Sequence, residues 1–211
     1  MWRYVLNENI LRFNALLAQA RSESDRAKLR QLIAQTEVDL RELEEASTPE
    51  VVRNDAALRF FAERAVGEAL KLQAANFSTL QIYDPSRERL IILAQCNFRA
   101  AFLHHLEEMR PGDGSACGRC LADGAPAMIG DVNSDLEFEA HREAAREAGV
   151  QAVLACPVRN GSGALIAVLS TYFSAPRQFS GQDVLQMSSF AASLGPELER
   201  HLQPPMQRRT A

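Results

Sequence analysis

The chain has 211 residues, of which 46% are hydrophobic and 24% charged, and its net charge at pH 7 is −4. Acidic and basic residues are interleaved, so no basic stripe is available to release counterions from a nucleic acid backbone, and no apolar run approaches the roughly 20 residues that span a bilayer. With four cysteines and no secretory signal, the composition predicts a soluble cytoplasmic protein with reduced thiols that binds neither nucleic acid nor membrane.

The N-terminal region has the hydrophobic periodicity of helices. Apolar residues recur at helical spacing over 7–20 and again over 25–45, and the intervening "RSESD" supplies Ser and Asp for capping. This pattern predicts an antiparallel helical hairpin over residues 1–48. A third helix is predicted to begin at "STPE", where Thr48 is a natural N-cap and Pro49 suits the first helical position.

The periodicity changes to that of strands after this third helix. The segments "NFSTLQIYD" and "RLIILAQCNF" flank the turn "PSRE", and "QAVLACPV" and "ALIAVLSTYF" flank "RNGSG", where Asn-Gly and Ser-Gly supply positive φ. Between the two hairpins we predict helices near 99–108, from "GSACGRCLADG" and over "EFEAHREAAREAG", which Gly149 ends, with "PAMIGDV" as a short strand. One domain is therefore predicted over 49–203, followed by a flexible tail, 204–211.

The last helix opens at "FSGQD", where Ser180 and Asp183 have the spacing of a capping box. Its apolar positions alternate by three and four, as in a coiled-coil seam. These positions are Val184, Met187, Ala191, Leu194 and Leu198. Two interpretations remain open at this point: the helix packs on its own sheet, or it forms a subunit interface.

The order and spacing of these elements resemble the GAF domain family, a relative of PAS domains, over about residues 55–201. The resemblance is carried by "STLQIYDPSRERLIILAQCNF", "PGDGSACGRCLADGAPAMIGDV", "AHREAAREAGVQAVLACPV" and "GALIAVLSTYFSAP". It is greatest to GAF domains that lie upstream of bacterial sensor kinases. It implies an α+β fold: an antiparallel sheet with the terminal helices on one face and, on the other, a ligand cavity roofed by residues 99–149.

The resemblance also has implications for function. It implies a sensor of the two-component type that binds a small molecule of unknown identity, with no cofactor named, and that forms a homodimer through its terminal helices. The segment after Leu202 is too short for a kinase or cyclase domain, so we expect the signalling output in a separate partner protein or in a further part of the chain. A purely structural dimerisation module without a ligand is the alternative.

The motif "PGDGSACGRCLADG" leaves three chemical interpretations open. If Ser115 caps the helix, Cys117 lies in its first turn, where free amide groups and the helix dipole would lower the pKa of the thiol. Cys120 follows one turn later on the same side, so the two could form a redox pair, or both could be small buried side chains. A zinc or iron–sulfur site needs about four ligands, and this motif supplies two.

Further metal ligands would have to come from Cys96, Cys156 or His141. Strand alternation places Cys156 with Leu154, on the face opposite Val153. A structural role is therefore predicted for Cys96 and Cys156, and no metal site is predicted.

The candidate ligand-binding residues combine this motif with the roof and the last strands. Ser170 and Tyr172 carry polar groups within an otherwise apolar strand. Three more candidates, Asp131, Phe138 and His141, come from the roof. The complete set is Cys117, Cys120, Asp131, Phe138, His141, Val153, Ser170 and Tyr172. Alternatively, Asp131 only caps or turns the chain and His141 lies on an exposed helix face. We expect a solvated or capping role for the paired His104 and His105.

An enzymatic alternative comes from the free methionine-(R)-sulfoxide reductases, which are catalytic GAF proteins with a cysteine placed where Cys117 stands. Their other cysteines would fall near Glu107 and before His141, and neither position is a cysteine here. Their substrate-binding carboxylates would fall near positions that are not acidic in this chain, namely Val153, Ser170 and Tyr172. No catalytic residue is therefore predicted, although a thiol-redox switch using Cys117 and Cys120 stays possible. The Cys-His pair of bilin-binding relatives and the "NKFDE" signature of the cyclic-nucleotide subgroup do not occur.

Overall fold

The computed structural model describes residues 2–20, 22–47 and 56–202, which fall into two units, 1–49 and 50–211. In the first unit, helix α1 (Trp2–Gln19) packs against helix α2 (Glu23–Ser47), as the predicted hairpin requires. The hydroxyl of Ser22 accepts a hydrogen bond from the Asp25 amide at 3.0 Å and caps α2. No helix among the described residues combines the length and the apolar character needed to cross a bilayer.

The second unit contains the helices and strands predicted from the sequence, in the predicted order. Their bounds are α3 (Ala56–Leu72), β1 (Phe77–Asp84), β2 (Arg89–Cys96), α4 (Ala100–Leu106), α5 (Ala116–Asp123), β3 (Ala127–Ile129), a 3-10 turn (Glu139–His141), α6 (Arg142–Ala148), β4 (Ala152–Arg159), β5 (Leu165–Phe173) and α7 (Gly181–Leu202). The predicted start of the third helix at Thr48 and the predicted tail 204–211 lie outside the described residues.

The five strands form one antiparallel sheet in the order β2-β1-β5-β4-β3. Because successive strand residues point to opposite faces, the sheet separates two apolar cores. Helices α3 and α7 cover one core, which includes Leu80, Leu154, Cys156 and Leu169. Segments 98–150 form a roof over the other, which includes Val153, Ala155, Val168 and Tyr172. The predicted α+β fold and the predicted face of Cys156 are both confirmed.

Short-range sequence signals account for most of the helix and strand ends. The Ser115 hydroxyl accepts from the Gly118 amide at 2.9 Å at the start of α5, and Gly149 ends α6 with a φ of 73°. The β4–β5 turn differs from its prediction, because positive φ occurs there at Gly163 and not at Gly161. Instead, the side-chain oxygen of Asn160 accepts hydrogen bonds from the amides of residues 162 and 164, which sets the turn.

Helix α7 uses its apolar seam within its own subunit. Met187, Ala191, Leu194 and Leu198 are at most 6% exposed and belong to the core between α3, α7 and the sheet. The chain's own side chains fill this seam, so it is not available as a subunit interface. Any contact between subunits that involves α7 must use the opposite, exposed side of the helix.

One contact at the end of β4 joins three parts of the fold. The carbonyl oxygen of Arg159 lies against the backbone of Gly195 in α7, where a Cβ atom would overlap it. The guanidinium of Arg159 donates to the carbonyl of Gly124, just after α5, at 2.6 Å and to that of Gly163 at 2.8 Å. The end of α5, the β4–β5 turn and helix α7 therefore meet at Arg159.

The start of α7 should make the stability of the fold depend on pH in the acidic range. The Asp183 carboxylate accepts hydrogen bonds from the Ser180 hydroxyl at 2.6 Å, the Ser180 amide at 2.7 Å and Arg177 at 2.6 Å. These bonds, that of the Ser180 hydroxyl foremost, lower the pKa of Asp183 to about 2. Because the pKa in the folded state lies below that of the unfolded chain, the stabilisation is complete above about pH 4 and is lost as the pH falls towards 2.

We expect Asp183→Asn to lower the free energy of unfolding by about 1 kcal/mol at pH 7, since the amide keeps only part of the capping interaction. The difference between the two proteins should shrink as the pH falls from 4 to 2. Urea unfolding followed by circular dichroism at several pH values measures it. A difference that stays constant over this range would show that the ionised carboxylate does not stabilise the fold.

Candidate functional site

A small cavity lies between the sheet and its roof, where the resemblance places a ligand. It is lined by Phe102, His105, Leu106, Met109, Ser115, Ala116, Cys117, Phe138, Val150, Val153 and Tyr172. The centre of a water molecule can move within only about 10 Å³ of it, which is close to the lower limit for holding one water. The cavity is therefore nearly filled by its own side chains.

The floor of the cavity carries buried polar groups at neighbouring positions of two strands, β1 and β5. Strand register places Tyr172 opposite Val153 and Ser170 opposite Thr79. The Tyr172 hydroxyl lies 3.2 Å from that of Thr79 and 3.4 Å from Cys117 Sγ, which lies 3.3 Å from the Ser170 hydroxyl. These four residues, which we call the polar cluster, are at most 2% exposed. Each can donate to and accept from its neighbours.

Helix α5 positions Cys117 over the floor. The Asp113 carboxylate accepts hydrogen bonds from the amide and the hydroxyl of Ser115, which in turn caps the helix. Cys117 lies in the first turn as predicted, but its pKa is raised, chiefly because burial removes the thiolate from water. Burial also raises the pKa of Cys120. The predicted lowering of the Cys117 pKa is wrong, since loss of hydration outweighs the helix dipole.

Two histidines 36 positions apart meet in the roof. His105 Nε2 lies 2.9 Å from His141 Nδ1, and His141 Nε2 lies 2.9 Å from the carbonyl oxygen of Asp113. Because a carbonyl only accepts, His141 donates through Nε2 and, when both rings are neutral, accepts through Nδ1 from His105. Burial, with a further contribution from His141, lowers the pKa of His105 and favours the neutral His105 ring. His141 is only 8% exposed, so the alternative of an exposed His141 is wrong, whereas His105 is partly buried and is bonded to His141.

The remainder of the roof consists of one firmly bonded part and one part held mainly by packing. Arg119 of α5 forms a two-pronged ion pair with Asp135, and Arg142 donates to the carbonyls of Val132 and Asp135. Helix α4 has seven residues and no side-chain hydrogen bond at its N-cap, Arg99. Its polar contacts include the bond of His105 and a hydrogen bond that the Gln81 side chain of β1 donates to the Leu106 carbonyl oxygen at 3.3 Å. Of the two parts, α4 is the one that can move at lower energetic cost.

The structure brings most of the predicted site residues together. Four line the cavity: Cys117, Phe138, Val153 and Tyr172. Ser170 belongs to the polar cluster, and His141 reaches the cavity through His105. The last two predicted residues neither line the cavity nor bond to a residue that does: Cys120 is fully buried beside it, and Asp131 accepts hydrogen bonds from the Asn133 amide and side chain, which makes it a turn residue.

Sequence reasoning missed the contribution of α4 and of strand β1. Phe102, His105, Leu106 and Met109 line the cavity, and Thr79 completes the polar cluster. The spacing of the first four along "FLHHLEEM" is that of one helix face, and this signal could have identified them. Nothing local distinguishes Thr79 from other strand threonines.

The described part of the chain gives little support for a metal site or a disulfide. No group of three or more His, Cys, Asp or Glu side chains is placed there to hold a metal ion. All four cysteines are free thiols, and Cys156 lies on the helix-covered face of the sheet.

Comparisons with known proteins agree with this architecture. A family model described as "GAF domain" matches residues 56–199. A domain assigned to a two-component sensor histidine kinase protein from Sinorhizobium meliloti 1021 has a TM-score of 0.59 and 15% identity, over 74% of this chain and 100% of that one. The GAF domain/HD domain protein from Geobacter sulfurreducens has a TM-score of 0.56 and 14% identity, over 69% and 94%.

An enzyme also appears among the similar structures. Free methionine-R-sulfoxide reductase from Neisseria meningitidis, in complex with its substrate, has a TM-score of 0.54 and 17% identity, over 90% of this chain and 97% of that one. No curated protein matches the chain. At such low identities, the structural likenesses show the shared fold alone.

Proposed function

Since this chain belongs to the GAF domain family, we propose that it is a small-molecule-sensing module of a bacterial signalling system that signals through its terminal helices. The observation that carries the proposal is the small cavity between sheet and roof, which has a polar cluster on its floor and, above it, the short helix α4, whose N-cap makes no side-chain hydrogen bond. Cavities that combine apolar walls with a few convergent polar groups are the usual sites for small ligands.

The closed cavity requires the roof to open before a ligand can enter. A molecule larger than one water does not fit into about 10 Å³, so a ligand binds the form in which α4 has moved away from the sheet. Such a ligand shifts the population towards the open form. Movement of the roof then changes the packing of the sheet that α3 and α7 cover on its other face.

Native mass spectrometry of the full chain, purified without reductant or chelator, tests this function. We expect an additional mass from a retained ligand, or a rise of several degrees in Tm with one member of a metabolite library. Val153→Leu, which adds a methylene to the cavity, should abolish the effect. Val158→Leu, which adds the same group to the core on the other face, should preserve it. A bare mass together with a flat screen would favour a purely structural module.

The proposed module is a homodimer whose interface lies on the exposed sides of α3 and α7. Phe60 of α3 is 69% exposed and Leu185 of α7 is 60% exposed. Between Gly181 and Pro196 the exposed positions of α7 carry no charged side chain, and the next exposed position is Arg200; the uncharged positions are Gln182, Leu185, Gln186, Ser189, Ala192, Ser193 and Pro196. Large exposed apolar side chains are typical of interfaces between subunits.

A thiol-redox enzyme is the less well supported function. Its strongest argument is the likeness to the methionine sulfoxide reductase fold. However, a nucleophilic cysteine needs a low pKa and access to its substrate, whereas Cys117 is 2% exposed and its pKa is raised. Cys120 is buried as well.

A further inference from the structure

The walls of the cavity are apolar and uncharged. None of the described residues that line it is Asp, Glu, Lys or Arg, and its largest side chains are aromatic or thioether groups: Phe102, Phe138, Tyr172 and Met109. The one imidazole, His105, is already bonded to His141, and its lowered pKa favours the neutral ring. A ligand in this cavity therefore contacts rings, methyl groups and neutral polar atoms.

Two charged groups near the cavity, Asp113 and Arg119, already have hydrogen-bond partners. Both oxygens of the Asp113 carboxylate accept hydrogen bonds, from the amide and hydroxyl of Ser115 and from the amide of Arg110. Arg119 is bound to Asp135. An ionised ligand would bring a charge into this site without a counter-ion, and burial of an unpaired charge is strongly unfavourable.

The polar cluster on the floor offers one place for hydrogen bonding. The distance from the Tyr172 hydroxyl to Thr79 Oγ1, 3.2 Å, is long for a hydrogen bond between two oxygens, and the 3.4 Å contact to Cys117 Sγ involves a thiol, which is a weak donor and acceptor. A neutral ligand group that both donates and accepts can replace one of these contacts without leaving a buried polar atom unpaired. A hydroxyl group has this property, and a hydrocarbon does not.

From these three observations we propose that the ligand is a compact, uncharged and largely apolar molecule that carries one hydroxyl-type group, which Tyr172 binds. The proposal rests on the proposed function, because it assigns a chemical class to the ligand of the same cavity. A site for an uncharged ligand differs from a site for nucleotides, amino acids or carboxylic acids, all of which carry charge at neutral pH.

Four probes with the same ring distinguish the possible ligand classes: p-cresol, toluene, 4-methylbenzoate and 4-methylbenzylammonium. Isothermal titration calorimetry on the full chain gives their affinities, and amide chemical shifts locate the binding site. We expect p-cresol to bind most tightly, with shifts at Phe102, Cys117 and Val153, and the two charged probes to bind at least tenfold more weakly. If either charged probe binds in the cavity as tightly as p-cresol, the ligand class is overturned, whereas the proposed sensing function stands.

Tyr172→Phe tests the hydrogen bond, because it removes one hydroxyl and keeps the ring. We expect p-cresol to bind about five- to tenfold more weakly to this variant, which is the usual effect of one neutral hydrogen bond, whereas toluene should change less than twofold. Thr171→Val is the matched control, since it removes a buried hydroxyl from the opposite face of the same strand, and it should affect neither probe. An equal loss for p-cresol and toluene in Tyr172→Phe would overturn the assigned role of the hydroxyl. If none of the four probes binds, the proposed ligand class is overturned, and the metabolite screen alone then decides the sensing function.

Discussion

Replacing Gly195 by alanine should lower the free energy of unfolding by about 3 kcal/mol or more. Gly195 lies inside α7, directly against the main chain of Arg159, and a Cβ atom there would overlap the Arg159 carbonyl oxygen and lie 2.8 Å from its carbon. The obstacle is backbone and not the end of a flexible side chain, so either the helix or the strand must move. Overpacking of this kind costs about 1 to 3 kcal/mol, and more where the surroundings cannot adjust.

Gly67→Ala is the control for this substitution. Gly67 also lies within a helix, α3, but a Cβ atom built there meets nothing within 4 Å. Because alanine favours helix more than glycine does, this variant should gain up to about 1 kcal/mol. Urea unfolding followed by circular dichroism compares the two. Equal stability of Gly195→Ala and the unmodified protein would mean that α7 and β4 do not approach this closely in solution.

The double variant Phe60→Arg with Leu185→Arg should convert the proposed homodimer into monomers. In a twofold interface each substitution occurs twice and brings like charges together while it removes an apolar contact. Loss of such central contacts costs at least about 2 kcal/mol, so we expect the dimer dissociation constant to rise at least about 30-fold. Sedimentation velocity over a range of protein concentrations measures this change.

Leu136→Arg is the matched control for the dimer. Leu136 is 83% exposed and lies on the roof side of the sheet, away from α3 and α7, so this variant should remain dimeric. All of the substituted side chains are exposed, and circular dichroism should show unchanged folds. A double variant that dimerises as tightly as the unmodified protein would refute the α3–α7 interface, and so would an unmodified protein that is monomeric at about 100 µM.

Most of the fold could be predicted because its signals are local. The cap formed by Ser115, the stop at Gly149 and the hairpin turn after Arg159 each depend on residues within about four positions of each other. Strand alternation in the same way placed Cys156 on the face opposite Val153. Patterns of this kind are properties of short segments, so they can be read without knowledge of the tertiary structure.

The site was harder to predict, because it depends on contacts between distant segments. The bond between His105 and His141 spans 36 positions, and the contact between Thr79 and Tyr172 spans 93. The pKa of Cys117 shows the same limitation, since the helix position predicts a lower value and burial under the roof raises it. Burial is set by the packing of the whole unit, and no window of sequence contains it.

The contact at Arg159 constrains how this protein can change over time. Its guanidinium ties the end of α5 to the strand, while its main chain supports α7 at Gly195. A roof movement that displaces the end of α5 must carry Arg159 along or break its bond to Gly124. Arg159 therefore takes part both in any movement of the end of α5 and in the stability of the contact with α7. A substitution at this position changes both properties together.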